Sequence, residues 1–152
     1  MTAEVYAGLR RQVIDLQAEQ LGDQFAQAPI LALLMETGYD QAVATLVAVA
    51  DGTTSLYFST GGGIIGAGAH EAVVQASRRW LEAGATFLEQ LDPVADPPLP
   101  AVGQTQFVAV THDGPRTAVA PEEDLSREHH ELSPLFYAAQ DVIAEVRLIE
   151  GG

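Results

Sequence analysis

Cysteine and lysine are both absent from this chain of 152 residues. Without cysteine there are no disulfides, thiol nucleophiles or thiolate metal sites. Without lysine there is neither Schiff-base chemistry nor the lysine of a phosphate-binding P-loop. All seven basic residues are arginines, at 10, 11, 78, 79, 116, 127 and 147, against 21 acidic ones. The resulting net charge of −14 repels phosphate backbones and anionic lipid surfaces, so neither nucleic acid nor membrane is expected as a partner. The excess acid serves solubility, and a basic protein partner or a saltier cytoplasm is also compatible with it. No apolar run approaches the roughly 18 residues that cross a bilayer. The first nine residues lack the basic-then-apolar pattern of a signal peptide, so a cytoplasmic location is expected.

What is present suits one domain over 1–152, because at this length a single core buries roughly 68–70% of the unfolded surface. Residues 43–91 organise it as hairpin, glycine-rich loop and long helix. Val43 to Ala50 is apolar on both faces, as a central strand is. Asp51-Gly52 then predicts a tight type I′ turn, and Leu56 and Phe58 alternate with Ser55, Tyr57 and Ser59 on the return. Beyond the glycines, Val73, Trp80 and Phe87 share a helical stripe with Val74, Leu81, Leu88 and Leu91. Residues 92–103 hold four prolines and read as an extended crossover. Residues 104–150 repeat the plan, with a hairpin through Asp113-Gly114 and a last helix that starts at the Ser133-Pro134 cap and carries Leu135, Ala139, Val142 and Val146 on one stripe.

Before residue 43, Val5, Leu9, Val13 and Leu16 define an amphipathic first helix whose wet face carries Arg10 and Arg11. Ile30 to Met35, between Pro29 and Gly38, reads as a short helix apolar nearly all round. Such a helix is core, is covered by a second subunit, or is an exposed docking patch. The acidic segment 121–132 reads as a surface loop.

Gly61, Gly63 and Gly66 match the dinucleotide spacing between a strand and a helix. The hairpin before them is not the parallel unit that the fingerprint belongs to. The candidate ligand-binding set is therefore a weaker one, an anion or phosphate held by Ser59, Thr60, Gly61, Gly62, Gly63, Gly66, Gly68 and His70. His70 as a base with Ser59 or Thr60 as nucleophile lacks the strained elbow that exposes such a serine. His129 and His130 are adjacent and so cannot share a helix face for a metal. Arg78 and Arg79 precede Trp80 and could clamp an anion with it, but Trp80 falls on the buried stripe while Arg78 points elsewhere. No catalytic set, metal site or cofactor emerges.

The element order is helix, short helix, two strands, helix, two strands, helix. It makes an α+β domain, an antiparallel sheet of two hairpins covered by helices in the order α-α-β-β-α-β-β-α. That order resembles the roadblock/LC7 and profilin-like family. The resemblance implies a small, homodimeric scaffold or regulator of small GTPases rather than an enzyme. The leading expectation is a cytoplasmic, non-enzymatic interaction module, homodimeric through the 30–35 segment or an exposed strand edge. An acidic protein similar to type III secretion chaperones, or a phosphate or nucleotide binder at 61–68, are the alternatives.

Overall fold

Apolar residues crowd most densely from Ile30 to Met35, and that density builds a central strand, not a helix. A computed structural model describes residues 2–64 and 66–151; Ile65 of the glycine-rich stretch and the terminal Gly152 lie outside the described residues. Strand β1, Ala32–Gly38, is buried at all seven positions. Leu33 and Met35 join the core on one face, and Ala32 and Leu34 the core on the other. A strand covered on both faces needs no polar alternation, so an unbroken apolar run suits it as well as it suits a buried helix. Gly38 does not end a helix: it lies against the carbonyl of Ala101, where a Cβ would not fit. The expected second helix, and with it the order α-α-β-β-α-β-β-α, is therefore replaced by a strand at the centre of the sheet.

Around β1 run α1 (Ala3–Ile14), β2 (Val43–Val49), β3 (Thr54–Phe58), β4 (Gly63–Ile64) and α2 (Glu71–Thr86), then β5 (Asp92–Pro93), β6 (Gln104–Thr111), β7 (Gly114–Pro121), α3 (Glu122–Ser126) and α4 (Ser133–Gly151). The seven strands make one sheet in the order β4-β3-β2-β1-β6-β7-β5. Every ladder is antiparallel. Both predicted hairpins form, β2–β3 and β6–β7. Their turns are not type I′. Among the described residues only Glu128 and glycines take positive φ, so Gly52 (99°) and Gly114 (109°) do so without the preceding aspartate, which is the glycine-bulge form of the turn.

Helices α2 and α4 pack together on one face, burying Val73, Ala76, Trp80, Leu135, Ala139, Val142 and Val146 against Leu33, Leu46, Phe107 and Ala109. Each large side chain removed from water here contributes roughly 1.5–3 kcal/mol. Helix α1 covers the other face. It buries Tyr6 and Ile14 and leaves Val5 exposed, so its inner stripe is rotated from the expected one and brings Arg10 inward. Thr2 caps it, accepting from the Val5 N–H at 3.2 Å.

Each edge of the sheet ends in a two-residue strand. Asp92–Pro93 lies along β7 at Arg116 and Thr117, and Pro115 and Pro121 remove donors from that strand. On the opposite edge β4 pairs with Leu56 and Tyr57 of β3. The segment 121–132 is more than a loop, because it contains α3 and buries Leu125 and Leu132 in the main core. Ser133 is inside α4, and its hydroxyl is buried with no hydrogen-bond partner, so it does not act as the expected cap. No described helix is long and apolar enough to cross a membrane.

Candidate functional site

The glycine-rich stretch folds as a cover for the β3 edge. Ser59 Oγ accepts the Val43 N–H at 2.8 Å, so this hydroxyl is committed to β2 rather than to the glycines. Thr60 is exposed in the turn that follows. The Gly61 N–H donates to Phe58 O at 2.9 Å, and Gly62 O accepts the Phe58 N–H at 3.1 Å. Gly63 has φ 151°, and a Cβ there would strike the Leu56 carbonyl and the Tyr57 backbone. Close approach to β3 therefore requires glycine. Gly66 precedes a 3₁₀ turn at Ala67–Ala69 in which Gly68 meets the carbonyl of Gly52. His70 occupies the N-cap position of α2, exposed and without a side-chain capping bond.

Of the eight candidate residues, Gly63 borders a cavity on this side of the sheet. Beside it Leu56, Phe58, Ile64 and Arg147 enclose about 350 Å³. Leu56, Phe58 and Arg147 also line an adjoining cavity of about 200 Å³, whose other walls are Met35, Thr37, Tyr39, Ala44, Leu46, Gln140 and Ile143. Together they form a groove between α4 and strands β1–β4, within the size range of small-molecule sites. Period two in the strands puts Met35 and Thr37, Ala44 and Leu46, and Leu56 and Phe58 on the same face. Spacings of three and four put Gln140, Ile143 and Arg147 on one side of α4.

The floor of the groove is apolar and its mouth is mixed. Leu46 is 1% and Leu56 7% exposed, while Phe58 is 38% and Tyr39 52% exposed. The Thr37 hydroxyl is taken by Thr105 at 2.9 Å. Burial raises the Tyr39 phenol above its usual range, the neighbouring Glu122 carboxylate raises it further, and the charge of Arg147 opposes both. Among the described residues no ion pair involves Arg147. Its spacing after Gln140 and Ile143 is the sequence signal for this side of α4, and the stronger apolar stripe through Leu135, Ala139, Val142 and Val146 masks it.

A second polar constellation lies on the α1 face. Glu36 is fully buried. Arg10 grips it with two bonds, Nε to Oε2 at 2.7 Å and Nη2 to Oε1 at 2.9 Å. Thr45 Oγ1 donates to Oε2 at 3.0 Å and Gln106 Nε2 to Oε1 at 3.2 Å. Thr45 and Gln106 are the cross-strand neighbours of Glu36. With the Thr45 proton on the carboxylate, the Tyr6 hydroxyl donates to Thr45 at 2.8 Å. Arg10 also reaches Pro97 O at 3.0 Å, and Gln106 reaches Pro98 O at 2.6 Å. The proline segment is thereby tied to α1 and the sheet. Burial is the main cause that raises the Tyr6 and Tyr57 phenols, and the Glu36 charge adds to it in both. Both Glu36 oxygens already hold two donors, so this is an anchor with no oxygen left for a ligand.

The remaining sequence candidates stay apart. His130 Nδ1 accepts the Leu132 N–H at 3.0 Å, and among the described residues no group of three or more His, Asp or Glu could hold a metal. Arg78 and Arg79 are exposed and Trp80 is buried, as expected. Arg78 and Glu82 border a separate apolar cavity of about 260 Å³, walled by Phe25, Ile30, Leu81 and Ala85. Compared with family models, with curated proteins and with solved structures, the chain matches none.

Proposed function

We propose that this chain is a non-enzymatic binding module whose working surface is the groove between α4 and strands β1–β4, and that it takes up an apolar group there. The observation that carries the reading is the continuity of a buried apolar floor at Leu46 and Leu56 with the exposed rings of Phe58 and Tyr39 at the mouth. Apolar side chains left open beside a cavity favour a ligand more than scattered surface residues do. Binding of the neutral dye N-phenyl-1-naphthylamine tests it. The fluorescence increase expected with the unaltered protein should be lost in Ile143→Trp, which fills the groove, and kept in Leu81→Trp at the separate apolar cavity. Circular dichroism checks that both variants are folded. Dye binding indifferent to Ile143→Trp would overturn the proposal.

The homodimeric scaffold suggested by the roadblock resemblance is a second reading of the same mouth. Ile30 to Met35 are interior, and each sheet edge is bordered by a two-residue strand, so this reading turns on the mouth of the groove. Tyr39 at 52% and Leu148 at 67% exposure are the features that favour a partner near the end of α4. Light scattering at high concentration decides, and a strict monomer dismisses the dimer. Secretion-chaperone behaviour and a nucleotide at 61–68 have no comparable observation in their favour. A flat thermal-shift screen of nucleotides on the unaltered protein would retire the latter.

A further inference from the structure

We infer that the ligand of the α4 groove is a small anionic amphiphile, a carboxylate on an apolar body, with Arg147 holding the carboxylate; this rests on the groove being the binding surface. Charge distribution points to the anion. The chain has 21 acidic and seven basic residues, yet the charged residue that lines both parts of the groove is an arginine. Four of its six other arginines are engaged by groups of the chain itself, two of them on the surface. Arg10 pairs with Glu36, Arg11 with Asp15 and Asp96, and Arg127 with Glu123. Arg116 donates to the carbonyls of Leu88 and Leu91. Arg147 stands instead at the rim, over Leu56 and Phe58, where no described carboxylate forms an ion pair with it. A guanidinium binds a carboxylate through two parallel hydrogen bonds, and Gln140, two turns back along the same side of α4, offers an amide that can donate to a polar group.

The walls set the rest of the ligand. Met35, Leu46, Leu56 and Ile143 offer no charge to a polar body, and the Thr37 hydroxyl is already engaged with Thr105. The occupant is therefore apolar along its length and charged at one end. Because the anionic end lies at the open mouth, its attraction to Arg147 is reduced by water and salt.

Displacement of N-phenyl-1-naphthylamine by decanoate and by decanol, at neutral pH and moderate salt, tests this. Decanoate should displace the dye at a concentration about tenfold lower than decanol, the factor that corresponds to 1.4 kcal/mol. Arg147→Gln should abolish that preference, and Arg79→Gln, on exposed α2 surface, should keep it. Equal displacement by the two ligands in the unaltered protein, or a preference that survives in Arg147→Gln, overturns the anionic assignment while the groove still binds the dye. Dye binding unaffected by Ile143→Trp is a different failure, and it removes the groove itself.

Discussion

The two faces of the sheet are closed by different means. On one, a 12-residue helix is held by a buried carboxylate that gathers donors from Arg10, Thr45 and Gln106. On the other, α2 and α4 lie on an apolar core that includes Trp80 and Phe107. Directional bonds fix a short helix in one place, whereas non-directional apolar packing tolerates an unfilled margin. The margin on the second face is the groove. The first face trades adaptability for a unique seating of α1 and the proline segment, and the second keeps room for a ligand.

The largest effect is expected from breaking the anchor. Arg10→Ala leaves Glu36 buried without its cation and should lower stability in urea unfolding by about 3–5 kcal/mol. The double variant Arg10→Met, Glu36→Leu should recover much of that loss, because removing both charges leaves neither uncompensated. Equal losses in the single and double variants would contradict the anchoring role.

Next comes the covered edge beside the groove. Gly63→Val forces a Cβ into β3 and should cost roughly 1–3 kcal/mol from overpacking, visible as a lower melting temperature with or without ligand. Gly62→Ala, where a Cβ meets nothing within 4 Å although φ is 86°, should cost less.

A smaller effect separates the faces by pH. The Tyr57 phenol is raised above its ordinary value of 10.0 by burial, with the Tyr6 and Glu36 charges adding to it. In the unfolded chain it ionises near that value, while in the folded chain it keeps its proton to higher pH. The contribution is therefore complete below about pH 10 and lost as pH rises beyond it. Tyr57→Phe should flatten the alkaline fall in stability measured by urea unfolding at successive pH values. An unchanged slope would show that Tyr57 does not carry it.

The smallest effect belongs to the groove. Arg147→Gln should leave stability within about 0.5 kcal/mol of the unaltered protein, as substitutions at exposed positions outside packed networks do. A larger loss in urea unfolding would make Arg147 part of the fold rather than of the site.

Much of this was legible from residue order. The Asp51-Gly52 and Asp113-Gly114 hairpins, the Trp80 stripe of α2 and the Leu135–Val146 stripe of α4 all follow from periodicity and turn chemistry. The run at 30–35 was not, because a strand buried on both faces and a short buried helix share one hydropathy pattern. Pro29 and Gly38 tipped the balance toward helix for reasons local to the chain, while the sheet on either side decided for strand. Glu36, a lone charge ending that run, was the overlooked sign. Its partner lies 26 residues away on a helix whose inner stripe was set one position off. The groove was illegible for a similar reason, since Phe58, Tyr39 and Arg147 come from elements that only the folded sheet brings together.

The central claim is that the groove under α4 is where this protein binds. Nuclear Overhauser effects between N-phenyl-1-naphthylamine and the side-chain methyls of the labelled protein locate the dye directly. Contacts to Leu46, Leu56 and Ile143 are predicted. Contacts confined to Ile30, Leu81 and Ala85, at the other apolar cavity, would contradict the account.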